Sequence, residues 1–574
     1  MSFDVEFRNV TFKYEGADAP ALRDIHLTIS PGEIVLISGP AGSGKTTLCN
    51  CMTGLVPHFH EGALEGDVFV RKYNTRKARI GGLASLVGMV FQDPESQLVT
   101  NSVVDEVAFG PENLGIAREE INERVANALK ATRLEGYDDR EPYTLSGGEQ
   151  QACVIAAIYA MYPEIYVMDE PLANLDPEGK AQVLRVVVDL VKHRGKTLVL
   201  VEHALEEVLP LVNRVVVMEK GKIVRDGSVS EVLAAGDIPS VFTRPPVVRL
   251  GEKYQIDPLP LNSDQLYHSL TARYPLGTIH WSQDPDPVKN SGKPVVQFEN
   301  VSYAYKKANK TLEGFALKDI NLTINAGELV AILGRNGSGK TTLIRHIIGL
   351  LQPDKGKVHV LNQNVASTPT HQLARKIGFC FQNPNHQIVS FNVRDEIIFG
   401  LKAHNVDPSE YEERIHKSLE FVNMLDYMDA EVFDLGKGQK QRIALASILS
   451  LYPEILIVDE PTTGQDPHMS QEIFEIINKL HKTGTTVLMI THQIDYAAIY
   501  AQRAIVLKKG QINFDGPFLD LLLDQQLMQA ASLEMPEMTR LANRLGQYGV
   551  PGWLVRIEDL DQAIRGLIEA AHGH

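Results

Sequence analysis

An internal repeat constrains the fold of this 574-residue chain more than any other sequence feature. The segment Val5–Tyr14 is echoed by Val296–Tyr305 with the same alternation of apolar and polar residues. Later landmarks recur in the same order at an offset of about 290 residues, which is the signature of a duplicated unit. These landmarks pair Gly39 with Gly334, Gln92 with Gln382, Asp169 with Asp459, and His203 with His492. We therefore predict two homologous domains of about 240 residues each, a usual size for one domain.

The repeat and the composition between its copies predict the domain boundaries. We expect a first domain over residues 1–243, an appendage and linker over 244–294, a second domain over 295–534 and a C-terminal appendage over 535–574. The appendages are predicted because Pro245–Leu250 recurs in related form as Pro536–Leu541. The segment between the copies ends in closely spaced Pro, Asp and Gly residues, which favour an extended linker.

Composition and charge exclude several classes of protein. Hydrophobic residues make up 44% and charged residues 22%, ordinary values for a chain that buries large cores. The formal net charge of −16 disfavours a protein that holds nucleic acid mainly by neutralising phosphates. Four cysteines argue against a disulfide framework. The start of the chain does not resemble a secretory signal, and its most apolar segments are shorter than the roughly 20 residues that span a bilayer.

Short apolar runs alternate with helical patterns in each copy. Ile34–Ser38, Ile165–Met168 and Thr197–Val201 are predicted to be buried parallel strands, and Glu120–Thr132 an amphipathic helix. The predicted fold class is therefore α/β, with two tandem domains, each built on a mostly parallel sheet with helices on its faces.

Each copy contains a glycine-rich loop that fits the pattern GxxxxGK[ST] between a predicted strand and a helix. Glycines let the backbone wrap around a phosphate chain, so that successive N–H groups and the helix N-terminus face the anion. We expect the lysine to hold the β- and γ-phosphates and the final threonine to bind Mg²⁺. The predicted ATP-binding residues are Gly39, Pro40, Ala41, Gly42, Ser43, Gly44, Lys45 and Thr46 in the first loop, and Gly334, Arg335, Asn336, Gly337, Ser338, Gly339, Lys340 and Thr341 in the second.

Two carboxylates follow an apolar strand in each copy. We expect Asp169 and Asp459 to reach the Mg²⁺ ion, and Glu170 and Glu460 to orient or deprotonate the attacking water. A histidine follows the next apolar strand in each copy and is a candidate for contact with the γ-phosphate. These histidines are His203 and His492.

A third motif, Leu145–Gln150, precedes an apolar helix in the first copy. The Ser146 hydroxyl and the N–H groups of Gly147 and Gly148 then lie at a helix N-terminus, which favours anions. The corresponding segment of the second copy keeps glycines at 436 and 438, but Gly436 replaces the serine and Lys437 replaces a glycine.

The order of these motifs resembles the ATP-binding-cassette (ABC) ATPase family over roughly 480 residues, leaving the linker and tail outside. The resemblance implies two P-loop NTPase domains, each a mostly parallel sheet with an antiparallel β part and a helical subdomain. It implies that Tyr14 and Tyr305 stack on adenine, that Gln92 and Gln382 join the Mg²⁺ sites, and that the signature residues contact ATP. It further implies that the two domains pair head to tail within the chain, each signature segment facing the other domain's loop. The signature residues are Ser146, Gly147, Gly148, Gly436 and Gly438.

A narrower resemblance lies in the segments after each glutamine, Phe91–Pro111 and Phe381–Gly400. They are similar to the ATPases of energy-coupling-factor and cobalt-type importers, although ABC ATPases in general share a surface loop and helix here. The resemblance implies a small integral membrane partner that docks coupling helices, and separate membrane proteins that capture a vitamin, a precursor or a metal ion. It places the protein at the cytoplasmic face of the cell membrane as a peripheral subunit.

Two questions stay open at the level of sequence. The altered second signature predicts that the site with Lys340, Glu460 and His492 hydrolyses ATP efficiently while the site with Lys45, Glu170 and His203 is slower. The alternative is that Lys437 supplies a compensating cation and both sites work. The rival to a membrane importer is a soluble twin-cassette ATPase that acts on nucleic acid or ribosomes, which the charge and the cysteine count disfavour.

Overall fold

The computed structural model describes residues 3–145, 147–173, 175–189, 195–203, 205–235, 242, 244–282, 292–307, 310–311 and 316–572. Its contacts divide the chain into two compact units, Met1–Leu266 and Tyr267–His574. The predicted site residue Ser146 and residues 283–291 of the predicted linker lie outside the described residues. The division falls inside the predicted appendage and linker, and the boundaries at 243, 294 and 534 stay predictions.

The first unit contains an antiparallel sheet and a mostly parallel sheet. Its described strands are β1 (Val5–Tyr14), β2 (Leu22–Ile29), β3 (Ile34–Ser38), β4 (Gly62–Val70), β5 (Tyr73–Asn74), β6 (Val87–Val90), β7 (Ile165–Asp169), β8 (Thr197–Val201), β9 (Arg214–Glu219) and β10 (Lys222–Ser228). The antiparallel sheet has the order β2-β1-β4-β5, and the second sheet has the order β10-β9-β3-β8-β7-β6. In the second sheet only the β9–β10 pair is antiparallel.

The three strands predicted from apolar runs, β3, β7 and β8, are adjacent in this parallel sheet and wholly buried. Parallel strands that are covered on both faces read as continuous apolar runs, which is why the sequence revealed them. The antiparallel sheet buries alternate residues of β1, among them Phe7 and Phe12, in the same core. The carboxyl ends of β3, β7 and β8 share one edge of the sheet, and this edge carries the loops of the first site.

The helices of this part of the chain surround the sheets and form a separate helical layer. They are α1 (Lys45–Thr53), α2 (Leu55–His58), α3 (Ile80–Ala84), α4 (Val103–Asn113), α5 (Arg118–Ala131), α6 (Gly147–Met161), α7 (Pro177–Val188), α8 (Leu205–Val208), α9 (Val229–Ala234), α10 (Pro246–Lys253) and α11 (Ser263–Arg273). Helices α4, α5 and α6 pack against one another as the expected helical subdomain. The helix predicted at 120–132 is α5, which buries Ile121, Val125 and Leu129 on one face.

The second unit repeats this architecture. Its described strands are β11 (Pro294–Tyr303), β12 (Lys306–Lys307), β13 (Lys310–Thr311), β14 (Leu317–Asn325), β15 (Leu329–Leu333), β16 (Lys355–Val360), β17 (Gln363–Asn364), β18 (Ile377–Cys380), β19 (Ile455–Asp459), β20 (Thr486–Ile490), β21 (Arg503–Lys508) and β22 (Gln511–Pro517). The antiparallel sheet has the order β14-β11-β16-β17 and the mostly parallel sheet the order β18-β19-β20-β15-β21-β22. The two large sheets therefore have the same topology.

Its helices correspond to those of the first unit and continue into the C-terminal part. They are α12 (Lys340–Ile347), α13 (Thr370–Leu373), α14 (Val393–Ala403), α15 (Tyr411–Phe421), α16 (Lys437–Leu449), α17 (Pro467–Lys482), α18 (Ile494–Tyr500), α19 (Phe518–Leu523), α20 (Gln525–Ala530), α21 (Glu537–Leu545) and α22 (Ile557–Ala571). The repeated sequence in the predicted appendages forms α10 and α21, each of which begins directly after a proline, Pro245 and Pro536. Within the second unit, the Gly277 N–H donates to Leu567 O at 2.8 Å and the Ile279 N–H to Tyr548 O at 2.9 Å.

Candidate functional site

Each glycine-rich loop connects the first parallel strand of its unit to a helix that begins at the motif lysine, Lys45 in α1 and Lys340 in α12. Gly39 has a φ of 144°, and a Cβ atom there would approach Met218 O to 2.1 Å, so only glycine fits. The Lys45 ammonium group donates to the carbonyl oxygens of Gly39 and Pro40, both at 2.9 Å. Lys340 makes the equivalent bonds to Gly334 at 2.5 Å and Arg335 at 3.0 Å. Both lysines thus lie folded over their loops.

The loops also contain buried hydroxyl groups that suit an anionic ligand. Ser43 Oγ and Ser338 Oγ are buried and have no hydrogen-bond partner within the described part of the chain. A buried polar atom without a partner is costly unless a ligand or water supplies one. The remaining loop residues, Ala41, Gly42 and Gly44 in the first loop and Gly337 and Gly339 in the second, complete the two turns. The donor groups of both loops therefore fit a phosphate chain.

The residues expected to hold Mg²⁺ lie together beside each loop. Asp169 ends β7, is almost fully buried and accepts a hydrogen bond from Thr46. Burial raises the pKa of Asp169 to about 6, against the opposing effect of that bond. Burial and the charge of Glu460 likewise raise the pKa of Asp459 to about 6. Carboxylate and hydroxyl oxygens are the hard ligands that Mg²⁺ prefers, and Thr46 and Thr341 are exposed at the rim of their loops.

The two glutamates that follow these aspartates turn sharply away from their strands. Glu170 and Glu460 have φ angles of 50° and 46°, in the left-handed region that non-glycine residues rarely adopt. His203 Nε2 lies 3.2 Å from Glu170 Oε1, and His492 Nε2 lies 3.2 Å from Glu460 Oε1. Each unit therefore brings its glutamate and histidine together at the loop edge of the sheet. Backbone strain of this kind is concentrated at functional sites.

The two glutamines lie directly after the edge strands of the parallel sheets. Gln92 follows β6, and its Nε2 atom donates to Glu170 Oε2 at 2.7 Å. Gln382 follows β18 and is exposed. In this structure the amide nitrogen of Gln92 therefore contacts the glutamate; the expected role of Gln92 and Gln382 in binding Mg²⁺ stays a prediction.

The tyrosines expected to stack on adenine are anchored beside the phosphate loops. The Tyr14 hydroxyl lies 3.0 Å from Thr47 Oγ1, in the first turn of α1. The Tyr305 hydroxyl lies 3.2 Å from Thr342 Oγ1, in the first turn of α12. The expected stacking of Tyr14 and Tyr305 on adenine stays a prediction.

The signature segments begin the helices α6 and α16 in the helical layers. Gly147 is the first residue of α6, followed by Gly148, and Ser146 lies outside the described residues. In the second unit Gly436 caps α16, and its N–H donates to Gln439 Oε1 at 3.0 Å. A Cβ atom at Gly438 would approach Met469 Sδ to 3.1 Å and Gln465 Oε1 to 3.2 Å, which favours glycine there.

Two site residues were missed by sequence reasoning. Glu202, next to His203, is only 4% exposed, and its two carboxylate oxygens accept the N–H groups of Leu172 at 2.8 Å and His203 at 3.2 Å. Burial raises the pKa of Glu202 to about 8. Asn336 was predicted only as a loop residue, but its Oδ1 atom lies 3.2 Å from His492 Nε2. The sequence offered one signal for Glu202, which is that the aligned residue of the second copy is Thr491.

Comparison with known proteins gives a family and close relatives. The family model described as "ABC transporter" matches residues 22–173 and 317–463. A protein of Caldanaerobacter subterraneus is 37% identical over 95% of this chain and 96% of its own length. A protein of Vibrio vulnificus is 33% identical over 98% of each chain. Both carry the provisional name of ABC transporter ATP-binding protein. The solved structure of cbiO1 from Clostridium perfringens, described as part of the ABC transporter complex cbiONQ, is 29% identical and covers 45% of this chain and 97% of its own, with a TM-score of 0.39.

Proposed function

This chain belongs to the ABC transporter family of ATP-binding proteins, and from that membership we propose that it is the energy-coupling subunit of an importer. It is an ATPase with two fused cassettes, and the proposal concerns what its hydrolysis drives. ATP closes the two cassettes head to tail, closure moves integral membrane partners, and hydrolysis with product release reopens them. The imported solute is a vitamin, a vitamin precursor or a metal ion, captured by a separate membrane protein.

In the proposed reaction, each phosphate loop binds the β- and γ-phosphates, and Lys45 or Lys340 neutralises their charge. A bound Mg²⁺ ion would be held by Thr46, Asp169 and Gln92 in the first site and by Thr341, Asp459 and Gln382 in the second, where it would add positive charge beside the phosphates. Glu170 and Glu460 orient the water that attacks the γ-phosphate. His203 and His492 lie within reach of those carboxylates and would sense the γ-phosphate.

The observation that carries the importer proposal is a set of exposed apolar side chains in each unit, which we take as one surface; most of them lie on the segment that follows the glutamine. In the second unit this surface, here called the second docking surface, consists of Phe381, Val389, Phe391, Phe399 and Phe433. Phe391 is 79% exposed and its ring lies 5.8 Å from that of Phe433, which is 57% exposed. The first docking surface consists of Val99, Phe109 and Tyr143. Exposed aromatic clusters of this kind mark interaction sites, and a short amphipathic helix of a membrane subunit fits them.

Hydrogen bonds connect the first docking surface to the segment that carries Gln92. In the first unit, the Tyr143 hydroxyl donates to Leu98 O at 2.5 Å, and the Phe91 N–H donates to Gln97 Oε1 at 3.0 Å. The N–H groups of Val99 and Thr100 donate to the buried Glu106 carboxylate. The second unit repeats this last contact, with Val389 and Ser390 donating to Glu396. A helix that presses on either surface would therefore act on the segment that carries the glutamine.

The proposed partners cross the membrane, and this chain lies at its cytoplasmic face. Within the described residues, every helix is too short or too polar to span a bilayer. The proposal is therefore that the chain attaches to the membrane through its docking surfaces.

The test uses the tagged full-length chain, purified from detergent-solubilised membranes together with its bound proteins and returned to liposomes. We expect integral membrane proteins to co-purify and to change the ATPase rate. Phe391→Asp should abolish both effects while leaving the ATPase activity of the isolated chain intact. The matched control is Leu350→Asp, which alters a residue of similar exposure away from the docking surface. ATPase stimulation by RNA or ribosomes, with no effect of membrane proteins, would favour the soluble rival instead.

We also propose that the two sites differ in rate. In head-to-tail pairing, the altered segment at Gly436 and Lys437 faces the nucleotide of Lys45, while the intact segment Ser146–Gly148 faces that of Lys340. Loss of one charge-assisted hydrogen bond in the transition state slows a reaction by about ten- to a hundredfold. The site of Lys340 is therefore the faster one.

A further inference from the structure

The segments that carry the catalytic glutamate and the histidine are bridged in both units, but by different groups. In the second unit, Thr462 Oγ1 donates to Gln493 Oε1 at 2.8 Å, and the Gln493 N–H donates to Thr491 Oγ1 at 3.0 Å. The aligned residues of the first unit are Leu172, Ala204 and Glu202, so neither member of the Thr462–Gln493 pair is present there. The two copies therefore need different chemistry to hold the same two segments.

In the first unit the bridge is the Glu202 side chain. Its Oε1 atom accepts the Leu172 N–H at 2.8 Å, and its Oε2 atom accepts the His203 N–H at 3.2 Å. Leu172 lies two residues after Glu170, and His203 contacts Glu170 through its ring. One buried carboxyl group thus ties together both segments that flank the catalytic glutamate.

This bridge changes what contacts the glutamate itself. In the second unit, the His492 N–H donates to Glu460 Oε2 at 3.1 Å. In the first unit, the equivalent N–H donates to Glu202, and Glu170 Oε2 instead accepts Gln92 Nε2 at 2.7 Å. Gln92 lies on the segment that leads to the first docking surface.

We propose that Glu202 is a positioning residue of the first site, which holds Leu172 and His203 by their backbone N–H groups and leaves Glu170 Oε2 to Gln92. This inference rests on the proposed role of Glu170 in orienting water. In the first site Gln92 therefore helps to orient the glutamate at Oε2, while the His203 ring contacts Oε1.

The inference is tested in the full-length chain, without membrane partners, in a Glu460→Gln parent in which only the first site can hydrolyse ATP. Glu202→Thr removes the bridge and supplies the residue of the second copy. Hydrogen–deuterium exchange at the amide of Leu172 should accelerate by at least about tenfold, because this N–H loses its acceptor. This measurement requires no turnover. The Thr491→Glu variant is the matched control and should leave exchange at Leu172 unchanged.

The dependence on Gln92 is measured by a double-mutant cycle. With Glu202 present, Gln92→Ala should slow single-turnover hydrolysis of ATP by about tenfold. In the Glu202→Thr background the same change should slow hydrolysis by only about twofold, because the His203 N–H becomes available to Glu170. If Glu202 had a purely structural role, the loss of rate caused by Gln92→Ala would be the same in both backgrounds. A third background combines Glu202→Thr with Leu172→Thr and Ala204→Gln. It supplies the Thr–Gln pair of the second copy and should still show the small loss of rate on Gln92→Ala, because the His203 N–H stays available to Glu170.

Unchanged exchange at the Leu172 amide, or an equal effect of Gln92→Ala on the hydrolysis rate in all backgrounds, would overturn the inference. Because no membrane protein is present, such a result leaves the importer proposal standing. Conversely, failure of the membrane subunits to affect the ATPase rate leaves the contacts of Glu202 unaffected.

Discussion

The first and second sites contain the same loop, the same pair of carboxylates and the same histidine, but the contacts around them differ. In the second site the His492 N–H donates directly to Glu460, whereas in the first site Glu202 accepts the equivalent N–H. The helix α16 begins with a glycine cap and Lys437, while the first copy retains Ser146, Gly147 and Gly148 before and in α6. Duplication has thus kept the loop lysine and threonine, the two carboxylates and the histidine, and has changed the residues around them. A difference in rate between chemically equivalent sites is the expected consequence.

The largest expected effect is a difference in ATPase rate between variants of the two glutamates, Glu460 and Glu170. Glu460→Gln should lower the steady-state ATPase rate by about 100-fold or more, because removing a positioned general base costs this much. Glu170→Gln should lower it by about threefold at most, since the first site contributes little to turnover. The rates are measured by phosphate release from the isolated chain.

The control for this comparison is Glu454→Gln, which changes an exposed carboxylate paired with Lys376. It should leave the rate unchanged. If Glu460→Gln retained more activity than Glu170→Gln, the assignment of the faster site would be wrong.

Restoring the second signature should give the next largest effect. A Cβ atom at Gly436 would meet only Gln439 Oε1, at 3.6 Å, so serine fits there without displacement. The double variant Gly436→Ser and Lys437→Gly should raise first-site hydrolysis by about tenfold, because it returns a hydroxyl donor to the γ-phosphate and restores the glycine of the first signature. Single-turnover hydrolysis in the Glu460→Gln parent measures this rate. Lys440→Gln, which removes a charge from the same helix, is the control; no gain from the double variant would mean that Lys437 already compensates.

Much of this structure could be predicted from the sequence, for identifiable physical reasons. The strands β3, β7 and β8 were found because parallel strands covered on both faces are continuously apolar. The placement of Lys45, Asp169 and Glu170 followed because strand order and the glycine pattern bring the carboxyl ends of parallel strands together. The repeat then predicts the corresponding residues of the second unit, because the landmarks recur at a nearly constant offset.

The contacts between site residues could not be predicted in this way. Glu202 is a single carboxylate after an apolar strand, and only the fold brings Leu172 to it across the sheet edge. The bond from Gln92 to Glu170 joins residues far apart in sequence, and no periodic pattern encodes it. Side-chain contacts of this kind depend on tertiary distances, which motif spacing alone does not fix.

The pH dependence of stability should differ between the units because only the first contains Glu202. The pKa of Glu202 is about 8, above the ordinary value of 4.5. Between these two pH values the folded state holds a proton that the unfolded state has released. The free energy of unfolding therefore falls as the pH rises above about 4.5, and this decrease is complete above about pH 8. Between about pH 6.5 and 8 the free energy of unfolding of the first unit should drop by about 1–2 kcal/mol, since one proton contributes at most about 1.4 kcal/mol per pH unit.

Differential scanning calorimetry of the full-length chain at several pH values measures this drop. Glu202→Gln should flatten the dependence above pH 6.5, whereas Glu178→Gln, at a more exposed position, should not. A similar slope in the Glu202→Gln variant would assign the titration to another group. Asp169 and Asp459, whose pKa values are both raised to about 6, should affect the two units alike at lower pH.

The smallest expected effect concerns Arg442, which the first copy replaces with Ala152. Arg442 is mostly buried, its Nη1 atom lies 3.3 Å from Glu472 Oε2, and its Nε atom has no partner among the described residues. Because burial of the unpartnered nitrogen offsets most of the attraction to Glu472, Arg442→Ala should lower the free energy of unfolding of the second unit by only about 0.5–1 kcal/mol. Calorimetry measures the loss, with Lys482→Ala at an exposed position of α17 as the control. The ATPase rate of Arg442→Ala should stay within about twofold of the rate of the unmodified chain. A larger loss would show that Arg442 supports hydrolysis in the second unit, a role that Ala152 does not have in the first.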